Sequence, residues 1–138
     1  MAQNINPIFP LSPRVSVVGA IITAAVTAKD GTGALTLVFT SKAVDGSRVD
    51  YLKVRALGTN VATVLRVFIN NGSDQAVAAN NGLFMERTIP ATTLSEVAEL
   101  ADIYVPLDIS LPADYRIYVG IGTAIAAGIK VIVIGGDY

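Results

Sequence analysis

The stretch from Val49 to Ile69, VDYLKVRALGTNVATVLRVFI, alternates apolar and polar residues on both sides of a short uncharged turn. In its first half Leu52, Val54 and Ala56 alternate with Tyr51, Lys53 and Arg55. In its second half Val61, Thr63, Leu65, Val67 and Ile69 share one face, and Arg66 and Phe68 share the other. A period of two is the mark of a strand with one buried face, because successive side chains of an extended chain point to opposite sides. Gly58-Thr59-Asn60 turns the chain between the halves, and Asn70-Asn71-Gly72 closes the second. The stretch reads as a β-hairpin.

The same pattern continues toward the C-terminus. Ser73 to Gly82 reads as a long loop, and Leu83 to Pro90 as a short strand at a sheet edge, because Pro90 has no amide to give to a ladder. Thr92 to Leu100 reads as a turn of helix capped by Thr93 or Ser95. Asp102 to Ser110 and Tyr115 to Ile121 alternate again, joined by Leu111-Pro112-Ala113-Asp114. After the small-residue turn from Gly122 to Ala127, Ile129 to Ile134 reads as a final buried strand before Gly135-Gly136.

Toward the N-terminus, Val15 to Ala28 is rich in Val, Ile, Thr and Ala. Asp30-Gly31-Thr32-Gly33 is a turn, and Leu35, Leu37 and Phe39 share one face of Ala34 to Thr40, so this region reads as another hairpin. Residues 1–14 carry Pro7, Pro10 and Pro13, which fix φ and remove donors, so they read as an extended arm preceding a domain over 15–138. The arm's Ile5, Ile8, Phe9 and Leu11 are apolar enough to pack on the chain's own domain or on a neighbour. About eight short strands without long helical crossovers imply an all-β fold. The expected architecture is an antiparallel β-sandwich of jelly-roll type, with an eight-stranded closed barrel as the alternative.

Composition bounds what such a fold can do. The 138 residues are 52% apolar and only 15% charged, with a formal net charge of −1. A single domain this poor in charge leaves apolar surface exposed unless other subunits cover it, so a homo-oligomer is expected. The ten Lys and Arg are scattered, which leaves no basic stripe for nucleic acid. The apolar run after Arg14 ends at Lys29-Asp30, too short for the roughly 20 residues of a spanning helix, so no membrane partner is expected. No basic segment precedes that run as a secretory signal would require, and the expected site of synthesis is the cytoplasm.

The chain has no Cys and no His. That removes disulfides, thiolate metal sites and the Ser-His-Asp and Cys-His arrangements, and no cofactor is expected. Enzymatic use would fall to carboxylate pairs such as Glu96 with Glu99, Asp45 with Asp50 or Asp102 with Asp108; none has a spacing that sets it apart. Gly120-Ile121-Gly122-Thr123 lacks the further glycine or lysine of a phosphate loop and reads as part of a turn. Asp102, Asp108 and Asp114 with Asn70-Asn71 and Asn80-Asn81 offer oxygen ligands, without the spacing of a Ca²⁺ loop. Lys53, Arg55 and Arg66, with Tyr51 and Phe68 beside them on the expected hairpin, form a small aromatic and basic platform suited to acidic groups of a neighbouring subunit. Tyr51, Tyr104 or Tyr118 would be the stacking residues of a carbohydrate-binding module, for which no Trp is present.

Residues 49–138 resemble small virion proteins of tailed bacteriophages. The resemblance lies in Lys53 to Thr63 (KVRALGTNVAT), Phe68 to Gly72 (FINNG), Ile89 to Thr93 (IPATT), Leu111 to Ile117 (LPADYRI) and the ending Gly135-Gly136-Asp137-Tyr138. It implies a capsid decoration, or cement, protein: a non-enzymatic homo-oligomer, often a trimer, that binds the major capsid protein on the outside of a phage head and braces neighbouring capsomers. The virion surface is the implied location. A phage tail or fibre component is the alternative within the same setting.

Overall fold

The computed structural model describes residues 9–138. Ile5, Ile8 and the rest of residues 1–8 lie outside the described residues. The described chain is all-β, with eight strands: β1 (Ser12–Val17), β2 (Thr36–Thr40), β3 (Ser47–Ala56), β4 (Thr63–Asn70), β5 (Asn81–Ile89), β6 (Asp102–Leu111), β7 (Arg116–Ile121) and β8 (Ile129–Asp137). They form two four-stranded antiparallel sheets, β1-β8-β3-β6 and β2-β7-β4-β5. Within these, β1 pairs with β8, β2 with β7, β3 with β6 and β4 with β5, so the pairing is nested from the termini inward.

Alternation decides which side chains lie between the sheets. Val49, Leu52 and Val54 of β3, Val105 of β6, and Val131 and Val133 of β8 meet Leu65 and Val67 of β4 and Ile117, Val119 and Ile121 of β7, all fully buried. Each such side chain contributes about 1.5–3 kcal/mol on leaving water. The inward and outward sets expected for β3 are the observed ones, and Thr63, Leu65 and Val67 of β4 face in as expected, but Val61 falls in the connection before β4 and is exposed.

Pairing departs from the sequence expectation. The chain from Val49 to Ile69 is not a hairpin: β3 lies in one sheet and β4 in the other, joined across the sandwich by residues 57–62. Likewise β1 and β2 belong to different sheets, and residues 18–35 between them are irregular. A period of two fixes which face of a strand is buried but is silent on its partner. Thr92 to Leu100 contains no helix; the Ser95 hydroxyl accepts from the Val97 amide (3.2 Å), closing a local turn instead of capping a helix.

The strand register also begins earlier and ends later than expected. β1 starts at Ser12, so Arg14 belongs to the sheet, where its guanidinium stacks 4.4 Å from the Phe39 ring and donates to the Thr40 carbonyl (2.7 Å). It thereby ties the first strands of the two sheets together. β8 runs through Gly135 and Gly136 to Asp137, between β1 and β3. A Cβ on Gly135 would meet the Arg48 carbonyl oxygen, so the strands approach there because the residue is glycine.

Candidate assembly surfaces

The antiparallel order gathers the β1–β2, β3–β4, β5–β6 and β7–β8 connections at one end of the sandwich. Asn60 knots three of them. Its Oδ1 accepts from the amides of Ala127 (2.8 Å) and Gly128 (3.1 Å), its Nδ2 donates to the Gly128 carbonyl (3.0 Å), and its backbone exchanges hydrogen bonds with Thr92 (3.1 and 2.9 Å). The Thr92 hydroxyl donates to the Gly58 carbonyl (2.7 Å), and the Thr63 hydroxyl donates to the Thr123 carbonyl (3.1 Å) while accepting from its amide (2.9 Å). Ile125 donates to the Thr23 carbonyl (3.0 Å), which brings in the remaining connection. Gly128 sits in the left-handed region at φ 83°, open to glycine at little strain.

These rigid loops carry almost no charge. Gly19 to Ala28, Leu57 to Leu65, Pro90 to Ser95 and Gly122 to Ile129 contain no Asp, Glu, Lys or Arg. Ile21, Leu57, Val61 and Leu94 stand exposed on them. Glu96 and Glu99, at the far side of the β5–β6 connection, are also exposed in that loop. The opposite end is polar, with Lys42 paired to Asp45 (2.9 Å) and Asp74 and Asp114 in its loops.

The outer faces of the two sheets are treated differently. Residues 18–22 continue alongside β8, and residues 25–35 then pass over the β2-β7-β4-β5 sheet: Val26 donates to the Ile121 carbonyl (2.8 Å), Arg66 donates to the Val26 carbonyl (3.0 Å), and Val26 and Leu35 lie against Gly120. Gln75 fastens the far end of this layer through the Gly31 and Gly33 carbonyls. Phe68 points outward in register with Arg66 yet is only 1% exposed.

Among the described residues nothing covers the outer face of the β1-β8-β3-β6 sheet. Val15 and Val17 of β1, Ile132 and Ile134 of β8, Tyr51 of β3, and Tyr104 and Pro106 of β6 fall on adjacent outward positions. They make an apolar band across all four strands. Tyr51 and Tyr104 pack with ring centroids 4.9 Å apart at 44°. Lys53 interrupts one row of the band between Ile132 and Tyr104; beyond that row lie Arg55, Lys130 and Asp102, and on the other side of the band lie Arg48, Asp50 and Asp108.

The aromatic and basic platform expected from the sequence is therefore divided. Tyr51, Lys53 and Arg55 lie on one outer face; Arg66 and Phe68 lie on the other, because the β3–β4 connection crosses between sheets. The cations also have acidic partners within the chain. Asp102 accepts from Lys53 (3.0 Å) and faces Arg55 (3.5 Å), and Glu86 accepts from Arg66 (2.8 Å). The Lys53 hydrogen bond holds the Asp102 carboxyl below its ordinary value, with Coulombic help from Lys53 and Arg55. The Arg66 hydrogen bond does the same for Glu86. Phe9 and Leu11 are exposed, and the Leu11 amide donates to the Asp137 carbonyl (2.9 Å).

The other residue groups singled out by sequence do not converge. Asp45 pairs with Lys42, and Asp50 with Arg48 (2.9 Å), while Asp108 lies 3.6 Å from Arg48. Asn70 donates to Asn81 (2.8 Å) and Asn71 to Asn80 (3.3 Å), so these amides bond one another. Among the described residues no group of three or more carboxylates gathers in a metal-binding arrangement. Tyr118 lies on the opposite sheet from Tyr51 and Tyr104. The knotted, charge-poor loop end had a signal in the sequence, since four uncharged segments recur at strand ends. Seeing that they share one end required the topology. No known family model matches the chain, and no curated protein matches it.

Proposed function

We propose that the protein is a non-enzymatic structural subunit of a phage virion, a decoration protein that binds the outer surface of the head and braces neighbouring capsomers. The observation that carries this reading is the rigid loop end, uncharged over four segments and presenting Ile21, Leu57, Val61 and Leu94 to solvent. Exposed apolar groups on loops already ordered by the Asn60 and Thr63 hydrogen bonds lose little entropy on docking, which favours a permanent contact over a transient one. The nested strand order, which we read as a jelly roll, presents all these loops together. Fold alone assigns no role, so the phage setting comes from the resemblance of residues 49–138 to small virion proteins.

On a shell with many copies, each subunit needs only modest affinity, because the capsid offers repeated sites. The test is co-sedimentation of the purified chain with heads of the encoding phage that lack it. Wild type and Val44→Asp, a change at the opposite end, are expected to pellet with heads; Val61→Asp and Leu94→Asp are expected to stay in the supernatant. Capture by tails alone would assign the chain to the tail. Binding to neither, with specific retention on glycans, would replace the reading by a carbohydrate-binding one.

A further inference from the structure

We propose that two copies of the chain pair face to face through the open β1-β8-β3-β6 sheet about a twofold axis that crosses its strands. This deepens the assembly reading by naming the surface the copies share. It stands apart from attachment to the shell, which uses the loop end.

The band formed by Val15, Val17, Ile132, Ile134, Tyr51 and Tyr104 lies in the middle of this face, and Val15, Val17 and Tyr104 are 61%, 68% and 54% exposed. On the other sheet the corresponding face is covered by the chain's own residues 25–35. Here the described chain supplies no cover, and an apolar band spanning a whole sheet favours a flat apolar partner. A second copy of the same band is such a partner. Two sheets packed this way align at about 30° with their side chains interdigitated.

Charge selects the second copy and its orientation. One flank of the band holds two cations, Arg55 and Lys130, against the single carboxylate of Asp102, and Lys53, set in the band between Ile132 and Tyr104, pairs with that carboxylate at 3.0 Å. The other holds two carboxylates, Asp50 and Asp108, against the single guanidinium of Arg48. A twofold axis across the strands reverses strand direction between copies and sets the cation-rich flank of each over the carboxylate-rich flank of the other. It brings Arg55 of one copy toward Asp50 of its partner. An axis along the strands would place like flanks together, at a cost for each like-charge contact. An isologous contact of this kind closes at two subunits.

The area is that of a weak pair. Four strands about 4.8 Å apart and some nine residues long at about 3.3 Å each give roughly 570 Å² of sheet per copy. Stable interfaces begin near about 600 Å² per partner, so the pair belongs at the weak end of that class, with salt-sensitive association.

Sedimentation velocity of the full chain over a micromolar concentration series tests the proposal. The expected result is a reversible species of twice the 14.4 kDa monomer mass. Val17→Lys is expected to raise the dissociation constant at least tenfold while leaving the circular dichroism unchanged, since Val17 is outside the core. Arg55→Asp and Asp50→Arg are each expected to weaken the pair, and the double exchange to restore it. The chain has no cysteine, so Ile132→Cys gives an independent readout: air oxidation is expected to yield a disulfide-linked pair, and Val44→Cys to yield none. A chain that stays monomeric, a trimer, or a pair indifferent to both Val17→Lys and the charge exchange would overturn the proposal. A monomer that still pellets with heads would overturn it while leaving the shell-binding reading intact.

Discussion

The two sheets of this sandwich have equivalent inner faces and unlike outer ones. Outside β2-β7-β4-β5, Phe68 and Arg66 are almost wholly removed from solvent, Arg66 tied to the covering layer at Val26; outside β1-β8-β3-β6, Tyr104 and Arg55 are half exposed. The same residue types, an aromatic and an arginine at outward strand positions, thus have different energetic roles. On the covered face they fasten the chain to itself, and on the open face they are free for a second molecule. An apolar surplus in a small chain is thereby divided between a second, minor core and an exposed band.

The largest difference is expected at the aromatics. Phe68→Ala removes a fully enclosed ring and leaves a cavity, so it should cost about 3–5 kcal/mol in urea unfolding. Tyr104→Ala, measured where the chain is monomeric, should cost well under about 1 kcal/mol beyond the loss of its tilted contact with Tyr51. Equal costs would erase the distinction between the faces. A Tyr104→Ala variant that loses self-association while keeping its unfolding midpoint would sharpen it.

Much of this contrast was half legible in the sequence. Alternation in Val49 to Ile69 correctly set Leu52, Val54, Leu65 and Val67 inward and Arg55, Arg66 and Phe68 outward. It was read as one hairpin, and so placed all the outward residues on a single surface. Gly58-Thr59-Asn60 looks like a hairpin turn, but the Asn60 side chain is committed to Ala127 and Gly128, far along the chain. A link of that separation leaves no local trace. The course of residues 18–35 was hidden for a related reason: Val, Ile and Thr there suggested strand, while the segment's hydrogen bonds go to scattered partners on β8, β7 and β4. The edge position of β5 was readable because Pro90 ends it. What could not be read is that its inward-facing Arg87 sits at that edge with a buried, unpartnered Nε, an inward charge of the kind that discourages edge pairing.

A smaller difference is expected between the arginines. Arg66 is nearly enclosed, with its side chain 11% exposed, and it joins strand β4 to the covering layer through the Val26 carbonyl and to β5 through Glu86. Arg66→Met should cost about 1–2 kcal/mol, the range for hydrogen bonds to a charged group with partial burial. It should also speed amide exchange at Val26, whose own donation to Ile121 depends on the layer staying in place. Arg55→Met, exposed on the open face, should fall within about 0.5 kcal/mol of wild type. Unchanged exchange at Val26 would mean that the layer is held by Leu35 and Gln75 without help from Arg66.

The smallest effect is the pH dependence, and it acts on both faces at once. Glu86 is held below its ordinary value by the hydrogen bond from Arg66, and Asp102 by that from Lys53. A carboxyl depressed in the folded state contributes stability that is present above its unfolded value and is lost as pH falls through its folded value. Unfolding free energy should therefore be flat near neutrality and decline once pH drops below the ordinary carboxylate range of about 4. Both carboxyls are exposed, so salt should reduce the decline. Arg66→Met should flatten the Glu86 share and leave the Asp102 share in place. Lys53→Met should do the reverse, so comparing the two acid titrations separates the covered face from the open one. An acid decline that neither substitution alters would place its origin elsewhere, in groups such as Asp30, whose carboxyl is also depressed by the Thr32 hydroxyl and amide.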